Sequence, residues 1–375
     1  MSARFLTAVS GRAFNMRDRF GREIDYMRIS VIDSCNLNCY YCNPQDNNKN
    51  CQAINTLSVK KVLCIVRAAT RLGITHFRLT GGEPLLHPQI DEMVSQIKKI
   101  PGVRSVSLTT NAVLLAQHAK WLKEAGIDSI NVSLDTIDAS EYERITKKPL
   151  LEEVKHGINA AIECGIRVKI NVVLTPQTDV VALTRYVAKK GTDIRFIEMM
   201  PVGEGHTNGV EPYKKVIGTL SKLYGEPCRI NTEKTKEINS GNDKRKIPDN
   251  GPAEYYIFPE LGIRVGLIQA IHGKFCDTCN RIRVTADGRL MPCLGSSVTM
   301  DLVPDSWDFA DDVEKDFAIV RALRAAIKAK PRCHNFNDNA VTYTKTTETK
   351  NTETRTTELK AAEVNAARNM SRIGG

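Results

Sequence analysis

An α/β fold on a parallel sheet, curled into an incomplete barrel, is what this chain predicts, on three observations. Short apolar runs of strand length alternate with helical patterns between Tyr26 and Met200. Gly73, Gly126 and Gly165 each follow a helical pattern, where a left-handed terminating residue is wanted. The strand runs alternate apolar with polar side chains rather than reading as continuous apolar segments.

Taken in order, strands are expected at Met27–Ile32, His76–Thr80, Arg104–Thr109, Asp128–Asp135, Ile166–Leu174 and Asp193–Glu198. Helices are expected at Ser58–Leu72, Pro88–Lys99, Leu115–Ala125, Leu151–Cys164 and Asp179–Lys190. A repeat of roughly 25 to 40 residues suits a βα unit, and successive units make a parallel sheet. A closed barrel normally fills its interior with branched apolar side chains. Here Ile166, Val168, Ile170 and Val172 oppose Arg167, Lys169 and Asn171, while Phe77 and Leu79 oppose His76, Arg78 and Thr80. Met27 and Ile29 oppose Arg28 and Ser30, and Val106 and Leu108 oppose Ser107 and Thr109. Helices must cover the apolar faces. The polar faces then line a wet interior with Arg28, Arg78 and Lys169 as fixed cations, the mark of an incomplete (β/α)6 TIM-type barrel open to a charged ligand. A one-sided antiparallel sheet with its polar face in solvent is the competing arrangement.

Composition narrows the function classes. The chain has 375 residues, 42% apolar and 26% charged, which supports a sizeable core and excludes a disordered or fibrous protein. No apolar run reaches about 18 residues, so no membrane contact is expected. Met1 to Arg22 is polar and basic without an apolar core, so a cytoplasmic rather than secreted location is expected. The formal charge of +10 fits an anionic partner or a basic surface equally well. Nucleic acid is not the expected partner, because aromatics make up only 6% of the chain. After Met200 the pattern changes, with short strands at Arg264–Leu267 and Arg281–Thr285 and a helix at Val313–Ala329. The expected organisation is a lead over 1–25, a partial barrel over 26–200 and a C-terminal region over 201–340. A low-complexity segment with nine Thr follows over 341–358, then a tail over 359–375 ending in Gly374-Gly375.

Eleven Cys in a chain of this kind point to ligation rather than disulfides. Cys35-x3-Cys39-x2-Cys42 lies just past the first strand, at the end where barrels put their chemistry. Three thiolates on a short loop can hold three irons of a [4Fe–4S] cluster, leaving one iron open. A zinc knuckle would want a fourth ligand, and only Cys51 is near. With Tyr41 before the last Cys, and Gly81-Gly82-Glu83-Pro84 after the second strand, the chain resembles the radical SAM superfamily. A second set, Cys276-x2-Cys279-x13-Cys293, is open to a zinc reading with His272, His334 or Cys333. Together with Arg281, Arg283 and the terminal glycines it resembles the GTP 3',8-cyclase (MoaA) family of molybdenum cofactor biosynthesis, over roughly Phe20 to Leu294 and the last few residues.

The resemblance implies two [4Fe–4S] clusters, on Cys35, Cys39 and Cys42 and on Cys276, Cys279 and Cys293. It implies Tyr41, Gly82, Ser133 and Met200 around S-adenosylmethionine (SAM), with the Gly-Gly-Glu-Pro turn at the methionyl end of SAM. It implies Arg28, Arg78, Thr109, Lys169, Arg281, Ile282 and Arg283 around GTP. Arg281, Arg283, Gly374 and Gly375 join the first cysteines as catalytic groups. The implied reaction is radical cyclisation of GTP to (8S)-3',8-cyclo-7,8-dihydroguanosine 5'-triphosphate, a lyase-type step. An external electron donor, a downstream cyclic pyranopterin monophosphate synthase and a homodimer complete the implied partners. Departures are His76 in place of Lys, Ala112 where Gly is common, and His87-Pro88. A radical SAM enzyme acting on a peptide or cofactor and a zinc-dependent nucleic-acid binder are the alternatives.

Overall fold

A computed structural model of the chain describes residues 16–42, 54–202, 210–230, 251–296, 298–302, 312–334 and 336. The segment 341–358 and the tail with Gly374 and Gly375 lie outside the described residues. Six strands with their helices follow in order: β1 (Tyr26–Ser30), α1 (Val59–Arg71), β2 (His76–Thr80), α2 (Ile90–Lys98), β3 (Ser105–Thr110), α3 (Leu115–Glu124), β4 (Ser129–Ser133), α4 (Ala139–Thr146), α5 (Leu151–Glu163), β5 (Val168–Val173), α6 (Val180–Lys189) and β6 (Asp193–Ile197). The C-terminal region adds α7 (Gly218–Tyr224), β7 (Cys228–Ile230), β8 (Glu254–Ile257), β9 (Arg264–Ile268), β10 (Arg281–Val284), β11 (Arg289–Met291), β12 (Met300–Asp301) and α8 (Asp312–Ala329).

Local chemistry accounts for the helix boundaries. Ser58 caps α1 by accepting from the Lys61 N–H, and Asp179 caps α6 by accepting from the Ala182 N–H at 2.9 Å. Gly73, Gly126 and Gly165 follow α1, α3 and α5 in the left-handed region, at φ +85°, +86° and +68°. α4 escaped the sequence reading. It is a polar helix of eight residues, capped by Asp138 and ended by Lys147 rather than glycine, at φ 62°.

The strand order is β12-β11-β10-β1-β2-β3-β4-β5-β6-β9-β8-β7. The sheet is open: its end strands do not pair with one another among the described residues. Strands 264–268 and 281–284, expected only as short strands, belong to the main sheet. β10 pairs parallel with β1 and β9 pairs parallel with β6, so the C-terminal region extends the sheet at both edges. The apolar strand positions Met27, Phe77, Leu108, Ile130, Ile170, Phe196, Val265 and Ile282 are 0–1% exposed and join helix residues such as Val62, Ile65, Val94, Leu122 and Ile158 in one core. The opposite, polar face is the interior.

Candidate active site

The first cysteine loop begins beyond the C-terminal end of β1. The Leu37 N–H donates to Cys35 Sγ at 3.5 Å, and Asn111 Nδ2, just past β3, approaches the same sulfur at 3.8 Å. Asn111 also donates to Asn36 Oδ1 at 2.8 Å, so the loop is tied to the neighbouring strand end. All three thiols are free. Burial raises each of them, to about 11 for Cys35, to about 12 for Cys42 and higher for Cys39. Glu83 adds to the shift of Cys35, Asp135 to that of Cys39, and Cys35 and Asp135 to that of Cys42. A buried thiolate beside carboxylates needs a positive partner, and direct ligation of an iron ion supplies one. The donor set therefore fits such a cluster.

The Gly-Gly turn has a reason that the sequence reading missed. A Cβ on Gly82 would lie 2.2 Å from the Ser34 carbonyl oxygen, and one on Gly81 2.5 Å from that of Ile32. The glycines let the turn press against the backbone leading into the cysteine loop, with Gly82 N–H to Ile32 O at 2.7 Å and Glu83 N–H to Ser34 O at 2.8 Å. Glu83 is likewise not a free acceptor. Its carboxylate accepts from Thr110 Oγ1 at 2.7 Å, the Leu85 N–H at 3.0 Å and the Asn111 N–H at 2.7 Å. Burial still raises it to about 7, against the opposing pull of those bonds. Glu83 thus positions Asn111, and through it the loop. Tyr41 donates to Asp135 Oδ2 at 2.5 Å, and Asp135 accepts from the Val173 N–H at 2.7 Å. A small cavity between Cys39, Tyr41, Asn111, Ser133 and Asp135 opens beside the loop, with Ser133 exposed at the end of β4.

The interior face carries the cations. Register places Arg283, Arg28, Arg78 and Ser107 side by side on β10, β1, β2 and β3. One layer nearer the cysteine loop, Thr109, Asn131 and Lys169 are neighbours on β3, β4 and β5. Arg78 donates to the Tyr26 hydroxyl and to Thr109 Oγ1, the latter at 3.4 Å. Lys169 is buried, with Nζ 3.4 Å from the Tyr255 hydroxyl. Burial and the facing Arg283 hold the Arg28 guanidinium well below its ordinary range; burial and Arg281 bring Arg283 down to about 10. Crowding of like charge on a dry surface is unfavourable unless an anion completes it. Arg281 Nε, Asn131 Oδ1 and Arg195 Nη2 are buried without a hydrogen-bond partner among the described residues. Arg195, next to Asn171 on β6 and bonded to it at 2.9 Å, is an interior cation that the sequence reading did not single out. Its alternation with Ile194 and Phe196 could have found it. His76 shares the layer of Tyr26 and Arg281, bonds Ser105 Oγ at 2.7 Å and is lowered by burial. Burial there works against the charged imidazolium.

The second cysteine group lies at the other end of the sheet. Cys279 comes just before β10, and the Tyr26 N–H at the start of β1 donates to Asn280 O at 3.3 Å. The two groups are thus separated by the length of β1, on the order of 15 Å. Buried Arg22 pairs with Asp18 at 2.6 Å and donates to the Cys276 carbonyl at 2.7 Å. Burial opposes the Cys279 thiolate, but Arg281 and Lys330 outweigh it, and its pKa falls. Cys276 is raised by burial. Arg281 packs over the Phe275 ring at 5.1 Å. Among the described residues no three His, Cys, Asp or Glu side chains converge on a single ion-sized point. A cluster takes its cysteines on separate irons and needs no such point.

The remaining predicted residues divide. Met200 packs against a small cluster of Val202, Met291 and Phe336. The Ile282 side chain is 1% exposed in the core, on the opposite face of β10 from Arg281 and Arg283. Ala112 stands at φ 66°, the left-handed region, which explains why glycine suits that place.

Residues 29–182 match the Radical SAM superfamily and residues 192–336 match Molybdenum Cofactor Synthesis C. The GTP 3',8-cyclase of Clostridium perfringens (strain SM101 / Type A) is 35% identical over 324 residues, 86% of this chain and 95% of that protein. The GTP 3',8-cyclase of Listeria monocytogenes serovar 1/2a (strain EGD-e) is 35% identical over 323 residues, 85% of this chain and 92% of that protein. Among solved structures, Streptococcus suis SuiB bound to S-adenosylmethionine shares the fold with a TM-score of 0.55, at 15% identity, over 79% of this chain and 68% of that one. A profile split between a radical SAM half and a molybdenum-cofactor half, with full-length relatives at this identity, places the chain in the GTP 3',8-cyclase family of radical SAM enzymes.

Proposed function

We propose that this enzyme cyclises GTP to (8S)-3',8-cyclo-7,8-dihydroguanosine 5'-triphosphate for molybdenum cofactor biosynthesis. The carrying observation is the row Arg283–Arg28–Arg78, in which a C-terminal strand sets a third arginine beside two from the barrel. Cys35, Cys39 and Cys42 hold the first [4Fe–4S] cluster, with SAM among Tyr41, Gly82, Ser133 and Met200. Cys276, Cys279 and Cys293 hold the second. When bound, the first cluster and SAM supply the 5'-deoxyadenosyl radical that removes the ribose H3' of GTP.

The chain's own groups do the rest. Arg28, Arg78, Arg283 and Lys169 grip the triphosphate by charge-assisted hydrogen bonds, and Thr109 lies beside them. Arg281 and the backbone of Ile282 face the guanine end near the second cysteine group. Held between the two ends, the substrate has its reacting atoms fixed, which supplies orientation and excludes water. Gly374 and Gly375 are catalytic groups on this reading, which deleting them tests. An external donor gives the electron, a downstream cyclic pyranopterin monophosphate synthase consumes the product, and the working form is a cytoplasmic homodimer. No helix among the described residues is long and apolar enough to cross a membrane.

Anaerobic incubation with SAM, dithionite and GTP should yield 5'-deoxyadenosine and the cyclised triphosphate together. Deoxyadenosine formation that ignores GTP would defeat the substrate reading. Deleting Gly374 and Gly375 should leave both clusters and SAM cleavage intact while product falls sharply. Product at the wild-type rate would remove the tail from the site.

A further inference from the structure

A buried ammonium sits among the backbone segments of the second cysteine group. Lys330, just past α8, is 4% exposed, and its Nζ donates to the Arg281 carbonyl at 2.7 Å and the Pro292 carbonyl at 2.9 Å. Arg281 lies two residues beyond Cys279, and Pro292 immediately precedes Cys293. One side chain therefore pins two of the three cysteine segments. The third is pinned by Arg22 through the Cys276 carbonyl, at 2.7 Å.

These two cations are not balanced alike. Arg22 has the Asp18 carboxylate at 2.6 Å. Among the described residues Lys98, Lys155 and Lys214 pair with carboxylates, whereas the Lys330 ammonium donates to carbonyls. Besides the two carbonyls it faces the Cys279 sulfur, whose thiolate form it favours. A buried ammonium keeps much of its desolvation cost unless an anion lies beside it. An anion beside it offsets that cost, and an iron–sulfur cluster bound by three thiolates is such an anion.

We propose that Lys330 is a positioning residue of the second cluster, fixing the Cys279 and Cys293 segments and stabilising the cluster's reduced state. The proposal rests on the reading that Cys276, Cys279 and Cys293 are the ligands. Reduction adds one electron to the cluster, and a fixed positive charge nearby favours that state, raising the potential.

The test uses the full chain, reconstituted anaerobically, with Cys35, Cys39 and Cys42 replaced by Ser so that the second cluster is seen alone. Lys330→Met should shift its midpoint to a more negative potential in an EPR-monitored titration, with Lys330→Arg near the parent value. If Lys330→Met instead loses its iron and sulfide and Lys330→Arg restores them, the positioning role is supported. Unchanged potential and unchanged iron in Lys330→Met would overturn the proposal. So would iron loss in both variants with melting temperature lowered alike, the behaviour of an ordinary core position. Full iron retained after Cys279→Ser in the same background would refute the ligand reading itself, whatever Lys330 does.

Discussion

The two cysteine triplets offer the same three thiols, but one is buried among carboxylates and the other among cations. Cys35, Cys39 and Cys42 lie near Glu83 and Asp135, and all three thiols are raised. Cys276, Cys279 and Cys293 lie near Arg22, Arg281, Arg283 and Lys330, and Cys279 is lowered. An acidic surround suits a ligand that brings positive charge, as the sulfonium and ammonium of SAM do. A basic surround suits a polyanion such as GTP. On the proposed function, cysteine spacing marks the cluster ligands and neighbouring charge separates the two ends.

The comparison breaks hardest at the ligands. Cys39→Ser should abolish 5'-deoxyadenosine formation while roughly half the bound iron remains, since the second group is untouched. Iron and sulfide analysis beside product chromatography would show it, and normal SAM cleavage would sink the division of labour. Next in size, Lys169→Ala should weaken GTP binding by about 1.5–3 kcal/mol, the scale of one charge-assisted bond. SAM affinity should stay near wild type in the same calorimetric titration; equal loss of both ligands would mean a damaged fold.

Gly82→Ala acts at the acidic end only. Its Cβ meets the Ser34 carbonyl, so the cysteine loop must shift, at a cost of about 1–3 kcal/mol in stability. SAM cleavage should fall while GTP affinity holds, and a variant with wild-type melting and turnover would show that the contact does not matter. The smallest effect is a gain. Ala112→Gly relieves a left-handed alanine and should raise stability by up to about 1 kcal/mol, read as a higher melting temperature. Any fall would mean that the packing of the alanine methyl outweighs backbone strain.

The alternation of Arg28, Arg78 and Lys169 with apolar neighbours was enough to place an interior lined by cations, because side-chain direction in a strand is a local property. Strand bounds from β1 to β6 came within two residues for the same reason. What local pattern does not carry is partnership. Arg281 and Arg283 read as a short strand, but nothing near them in sequence says that their neighbour is Tyr26 or Arg28. Lys330 reads as an ordinary lysine at a helix end before proline, and Glu83 as one residue of a Gly-Gly-Glu-Pro turn. Their roles come from carbonyls and amides delivered by other elements. α4 was missed because Lys147, not glycine, makes its left-handed stop.

The pairing of β1 with β10 has a consequence for synthesis of the chain. Asp25 and its partner Asn280 are 255 residues apart. At 5–20 residues per second, β1 waits on the order of 13–50 s after leaving the ribosome before its second neighbour exists. During that interval one edge of β1 presents unpaired backbone groups to any other chain. The basic row Arg283–Arg28–Arg78 cannot form until the strand arrives. Nascent chains of this enzyme thus pass through a stage with the first cysteine loop and β1 to β6 built and the arginine row still missing its third member.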